Sequence, residues 1–182
     1  FRKLAVDLRP AASIPQVGSV ADATVAGGSG PLKARVYRPA ADGPVPTVVL
    51  FHGGGFVIGD LDTHDAMARA ICAGTGAVVV SVDYRLGPEA RFPAAADDAI
   101  AAVSDVKARL AAYGGSDVLA LAGDSAGGNL AAVAAQHVSG IAAQLLVYPA
   151  VDVVGELARD LPLRLTVGDR MECSAKPRSC QA

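Results

Sequence analysis

The chain has no tryptophan, only 4% aromatic residues and three cysteines in 182 residues. It also lacks an excess of either charge, since 16 basic residues stand against 18 acidic ones, for a formal net charge of −2. Without a positive balance nothing holds a nucleic-acid backbone or an anionic membrane surface, so neither is an expected partner. No uninterrupted apolar run approaches the ~20 residues of a spanning helix, and no transmembrane segment is expected. Cys72, Cys173 and Cys180 form an odd set with no Cys-x-x-Cys pair. That argues against a disulfide scaffold and a zinc site, and makes a reducing, cytoplasmic compartment the expectation. Residue 1 is Phe, and Phe1-Arg2-Lys3 leads to Asp7 and Arg9 without a long apolar stretch, so no signal peptide is read there.

What is present is apolar: 52% of the residues are hydrophobic and 19% charged, which excludes a disordered tail. Short β-branched runs alternate with Ala-rich stretches of helical length, the pattern of strands separated by crossover helices in a mostly parallel sheet. Val20 to Ala26 and Lys33 to Arg38 read as an antiparallel edge pair joined through Gly27-Gly28-Ser29-Gly30-Pro31. Thr47 to Phe51, Ala77 to Val82, Val118 to Ala122 and Ile141 to Val147 are nearly continuous apolar runs, expected to be central strands covered on both faces. Thr63 to Ala73, Pro93 to Tyr113 and Ala126 to Val138 have helical composition, with Pro93 at the first helical position of the second. No internal repeat or linker divides the chain, so residues 1–182 are expected to form a single domain.

Two motifs carry chemistry. Gly123-Asp124-Ser125-Ala126-Gly127 has the form G-x-S-x-G between an apolar strand and an Ala-rich helix. A serine on so sharp a strand-to-helix turn takes a strained backbone conformation, and the positions two before and two after must be nearly free of side chain. The same turn aims the N–H of Ala126 at the place where an oxyanion would form, with the helix dipole adding to the field. A glycine-rich helix start that merely packs on its strand, or that binds a phosphate, is the competing reading. His52-Gly53-Gly54-Gly55-Phe56 follows the strand ending at Phe51 and fits an oxyanion loop whose glycines let a substrate approach the backbone. Its competitor is a flexible hairpin. Phe56 is either a wall of the substrate pocket or a residue packed under the loop.

His52 is expected to hold the shape of this loop. His64, after Asp62-Thr63 at a helix start, is expected at the surface or in a capping position. His137 stands twelve residues beyond Ser125, so at ~1.5 Å rise per residue it lies about 18 Å along the same helix and cannot serve as a base.

These blocks, with Asp83-Tyr84-Arg85-Leu86-Gly87-Pro88-Glu89, Phe92-Pro93-Ala94-Ala95 and Tyr148-Pro149, resemble the hormone-sensitive-lipase-like family of serine esterases over roughly residues 20 to 152. The resemblance implies an α/β-hydrolase fold with a mostly parallel sheet and helices on both faces. It implies that Ser125 is the nucleophile, that Gly54, Gly55 and Ala126 donate to the oxyanion, and that the substrates are carboxylic esters with short to medium acyl groups. It implies no cofactor and no metal. Asp83, Tyr84, Arg85 and Glu89 are expected to make buried polar contacts beneath the site. Gly87 and Ala90-Arg91 depart slightly from the family pattern. Residues 1–16 are expected to be the remnant of a helical cap.

The family's order of catalytic residues is Ser, then Asp or Glu, then His. Beyond Ser125 the chain has a single histidine, His137, so the triad and the C-terminal part of the fold are expected to be incomplete and hydrolysis impaired. Leu161 to Asp169 faintly resembles the strand that precedes the family's acid, which makes Asp169 the candidate acid. In the competing reading the segment after about residue 153 is an atypical tail from a frameshift or altered splice, and Asp169 is an ordinary turn residue. Two other functions stay open: a non-catalytic module that binds a small molecule on the same fold, and a non-functional fragment.

Overall fold

The short apolar runs form the six strands of one sheet in a computed structural model that describes residues 14–152. Asp169, Leu161 to Val167, Cys173, Cys180 and most of the expected cap remnant lie outside the described residues; residues 14–16 of that stretch have no regular structure. The elements in chain order are β1 (Ser19–Gly27), β2 (Gly30–Arg38), β3 (Val45–Phe51), α1 (Asp65–Thr75), β4 (Val78–Val82), α2 (Ala94–Ala108), a 3-10 turn (Leu110–Tyr113), β5 (Gly115–Asp124), α3 (Ala126–His137) and β6 (Ala143–Val147).

The strand order is β1-β2-β4-β3-β5-β6. The β1–β2 hairpin, closed between Gly27 and Gly30, is antiparallel and sits at one edge. β2 joins β4 antiparallel, and β4, β3, β5 and β6 run parallel. Alternation along β3 explains its unbroken apolar run. Val49 and Phe51 point to one face, where they meet Ala99, Ala102 and Val103 of α2 and Leu130, Ala131 and Ala134 of α3. Val48 and Leu50 point to the other, against Ala68, Ile71 and Cys72 of α1. A strand covered on both faces needs no polar residue in either phase.

Three sequence expectations change. The helix read from Pro93 to Tyr113 is broken at Arg109 (φ −124°, ψ 23°) into α2 and the 3-10 turn, which ends at Gly114 in the left-handed region (φ 74°) and feeds directly into β5. Pro93 (φ −95°, ψ 16°) is the residue before the helix, not its first residue. β6, read as a central covered strand, is the outer strand among the described residues and is exposed or half-buried throughout, because β5 alone flanks it there.

One fully buried carboxylate ties the hairpin edge to the interior. Asp98 of α2 accepts hydrogen bonds from the Gly28 N–H (2.8 Å), the Arg85 N–H (3.0 Å), Arg85 Nε (2.8 Å) and Arg85 Nη2 (2.8 Å). Burial opposes ionisation of Asp98, but these bonds and the guanidinium charge hold its pKa below the ordinary carboxylate value. The Asp83-Tyr84-Arg85 block thus makes polar contacts under the site as expected for Arg85, whereas Glu89 is exposed on a surface turn rather than buried beneath it. Because the Arg85 side chain is 34% exposed, truncation of Asp98 loses less than a wholly buried pair would. Asp98→Ala is expected to lower stability by about 3 kcal/mol, read as a lower urea midpoint at unchanged denaturant slope.

Candidate active site

β3 and β5 are neighbours and parallel, with Phe51 opposite Gly123, so both strands end at the same edge of the sheet. In open α/β sheets that carboxyl edge is where ligands bind. His52 to Gly55 leave the end of β3, and Ser125 stands between the last residue of β5 and the first of α3 with no loop between them. Ser125 has φ 50° and ψ −118°, a conformation that costs about 1–3 kcal/mol and persists only if its surroundings impose it. They do so from both sides. The Ser125 N–H donates to the Val147 carbonyl (2.9 Å), and the Ser125 carbonyl accepts from the N–H groups of Asn129 (3.1 Å) and Ala150 (3.0 Å).

The flanking glycines are required by close approach. A Cβ on Gly127 would collide with the carbonyl oxygen of Phe51 and come within 2.6 Å of that of His52. One on Gly123 would run into the Gly127 backbone. Helix α3 therefore starts directly against the backbone of β3, and the turn is as sharp as the motif requires.

The loop after β3 is a tight turn. Gly54 (φ 127°) and Gly55 (φ 59°) take left-handed conformations, and the Gly54 carbonyl accepts from the N–H groups of Val57 (3.1 Å) and Ile58 (3.0 Å). Among the described residues, no hydrogen bond engages the N–H of Gly54 or Gly55. The Ala126 N–H, first in α3, has no acceptor within its helix. Phe56 (φ 63°) follows at once; its ring is partly buried against the apolar core, and its carbonyl accepts from the Gly87 N–H (2.7 Å).

His52 is fully buried and holds the loop as expected. Its Nδ1 lies 2.8 Å from the Gly53 carbonyl and so carries the proton, and its ring stacks on Tyr84 at 4.4 Å between centroids. The Tyr84 hydroxyl donates to the His52 carbonyl (2.7 Å). Burial, with the nearby His64 adding to it, pushes the His52 pKa down to about 4 against the favourable bond to Gly53. The ring is therefore neutral at pH 7.

His64 stands in the capping region as expected, but its side chain is not at the surface. It occupies the residue before α1 but makes no side-chain capping bond there. Its ring turns inward, only 18% exposed, with Nε2 3.3 Å from Asp124 Oδ1. The reason is Asp124, the middle residue of the Gly123-Asp124-Ser125 turn, whose buried carboxylate needs donors. It also accepts from the Gly53 N–H (2.8 Å) and the Tyr148 hydroxyl (3.3 Å). Burial opposes its ionisation, but His64, then Gly53 and Tyr148, hold its pKa below the ordinary value. Sequence reasoning passed over Asp124, although an acid next to the serine, at the buried end of a strand, was the available signal. His137 is exposed at the far end of α3 and bonds the Val133 carbonyl (2.9 Å), away from Ser125 as expected.

Two outcomes follow. Gly127→Ala is expected to destabilise the protein by about 3 kcal/mol, since backbone rather than a movable side chain meets the new methyl group; thermal melting checks it. Between pH 6.5 and 4 the unfolded chain binds a proton that folded His52 refuses, so stability falls as pH drops through that window. The linked loss is about 3 kcal/mol, and His52→Gln is expected to flatten this part of a plot of Tm against pH.

A family model described as alpha/beta hydrolase fold matches residues 48–171. The esterase LipI of Mycobacterium tuberculosis is 48% identical over 140 residues, covering 71% of this chain and 43% of LipI. Carboxylesterase NlhH of the same species is 49% identical over 122 residues, covering 63% of this chain and 38% of NlhH. The chain thus spans less than half the length of these curated relatives. The solved esterase of Pyrobaculum calidifontis superposes with a TM-score of 0.78 at 46% identity, over 85% of this chain and 52% of that one.

Proposed function

The chain belongs to the alpha/beta hydrolase fold family, in its hormone-sensitive-lipase-like branch, and from that premise we propose that it carries the nucleophile and oxyanion site of a serine carboxylesterase for short to medium acyl esters. The observation that supports this most is the backbone of Ser125, φ 50° and ψ −118°, held at the end of β5 beside the glycine loop at the end of β3. The acyl range rests on the family resemblance of the four motif blocks.

In this reading Ser125 Oγ bonds to the ester carbonyl carbon, and the carbonyl π electrons move to the oxygen. The N–H groups of Gly54, Gly55 and Ala126 receive that developing charge. Loss of one such donor typically costs about 3–4 kcal/mol of transition-state stabilisation. Collapse of the tetrahedral species expels the alcohol and leaves an acyl group on Ser125, which water then removes by the same route.

The serine proton needs a base, and none of the three histidines takes that part. His52 is buried with Nδ1 committed to Gly53, His64 faces Asp124, and His137 is at the far end of α3. Asp169, the candidate acid from the sequence, lies outside the described residues. Turnover by these 182 residues is therefore expected to stay near the residual about 10³–10⁴ over water that binding and the oxyanion hole alone supply. With deacylation equally slow, an activated ester should leave its acyl group behind. On incubation with p-nitrophenyl acetate, peptide mass spectrometry is expected to find one acetyl group on Ser125, and none in Ser125→Ala. Acetylation elsewhere that ignores this substitution, or fast turnover that survives it, would overturn the nucleophile assignment.

A further inference from the structure

His64 lies outside both motifs and Asp124 has no catalytic part in its own, yet the two meet between the loops that make the site. The Asp124 carboxylate is a bracket with three donors from three parts of the chain: the Gly53 N–H from the loop after β3, His64 Nε2 from the start of α1, and the Tyr148 hydroxyl from the segment after β6. Two of them, Gly53 and His64, share Oδ1. Asp124 precedes Ser125 and Gly53 precedes Gly54, so this one carboxylate joins the residue before the nucleophile to the residue before the first oxyanion donor. A Cβ on Gly53 would collide with the carboxylate, so elbow and loop approach there as closely as a bare backbone allows.

We infer that His64 is a positioning residue of the oxyanion loop: by donating from Nε2 to Asp124 Oδ1 it fixes the carboxylate that holds the Gly53 N–H, and through it the placement of Gly54 and Gly55 relative to Ser125. This rests on the esterase reading for its catalytic consequence but not for the contact itself. The ring is built into place. Thr63 Oγ1 accepts from the Asp60 N–H and lies 3.0 Å from His64 Nδ1, and in the tautomer in which this hydroxyl donates to Nδ1 the ring proton sits on Nε2, facing Asp124. On the other face His52 lies 5.4 Å away between ring centroids, itself backed by Tyr84. The carboxylate is only 11% exposed, so water is a poor substitute for a lost donor. With His64 removed, Asp124 keeps Gly53 on Oδ1 and Tyr148 on Oδ2 and the fold survives, but Oδ1 loses one of its two partners and the carboxylate holds the loop less firmly against the elbow. A small misplacement of transition-state donors is costly to rate while leaving substrate contacts largely intact.

The test compares His64→Leu, which removes the donor, with His64→Gln, which keeps an N–H at a similar reach, both in the 182-residue chain. The Gly53 amide proton, followed by ¹H–¹⁵N NMR, is expected to shift upfield and to exchange with solvent at least about tenfold faster in His64→Leu, with His64→Gln close to wild type. Acetylation of Ser125 by p-nitrophenyl acetate is expected to slow about tenfold to a hundredfold at saturation in His64→Leu, with the half-saturating ester concentration unchanged, and to be largely restored in His64→Gln. An unmoved Gly53 amide, or two variants that behave alike, overturns the inference. If wild-type Ser125 is never acetylated, the esterase reading fails while the amide measurement still decides the contact. Should His64→Leu fail to fold, Asp124→Asn serves: the amide side chain keeps an oxygen for Gly53 without the charge, and an unshifted Gly53 resonance in that variant is equally fatal.

Discussion

The parallel pairing of β3 with β5, Phe51 opposite Gly123, is the constraint on which the site depends. It brings the ends of two strands that are far apart in the chain to one edge, and both chemistry-bearing motifs are the residues that follow those ends. Helix α3 can start against β3 only because its second residue, Gly127, has no side chain. Gly127 lies against the carbonyl oxygens of Phe51 and His52, so the helix that carries Ala126 presses on the backbone of the strand that carries the oxyanion loop. A methyl group there would push the loop and the serine apart together.

Strain at Ser125 is tolerable because the surrounding hydrogen bonds leave it no relaxed alternative. Its N–H is held by β6 and its carbonyl by Asn129 and Ala150, while the Asn129 side chain donates to the Ala150 carbonyl (2.8 Å). The segment after β6 thus closes on the turn from the side opposite β3. Tyr148 in that segment is itself in the left-handed region (φ 37°) and reaches Asp124 with its hydroxyl. Two non-glycine residues in costly conformations, Ser125 and Tyr148, are thus held by hydrogen bonds that relaxation of either would break.

Beneath this level the chain is ordered by two other polar anchors in an otherwise apolar interior. Asp98 gathers Gly28 and Arg85, and Tyr84 supports His52 by a stack and a hydrogen bond. Arg85 and Tyr84 both come from the segment just after β4, the strand between β2 and β3 in the sheet. That segment therefore links the hairpin edge to the floor of the oxyanion loop through Arg85 and Tyr84, while Glu89 and Arg91 are exposed.

The strands and the two motifs were legible in the sequence because their signals are local. Apolar runs mark doubly covered strands, and glycines at fixed offsets from Ser125 mark a turn that admits no side chain. Helix ends were less legible: the break at Arg109 arises where the chain must turn into β5, and composition carries no trace of that. The exposure of β6 was likewise a matter of which neighbours it has, not of its residues. The roles of His64 and Asp124 were hidden for a deeper reason. A histidine at a helix start reads as a surface residue, and a carboxylate inside a motif reads as filler. Only folding brings the start of α1, the end of β5 and the loop after β3 within hydrogen-bond distance. The sequence by itself determined that a sharp serine turn and a glycine loop exist, since both are properties of short stretches of backbone. Tertiary structure alone decided that one buried charge joins them, because a charge removed from water must find its donors wherever the fold brings them.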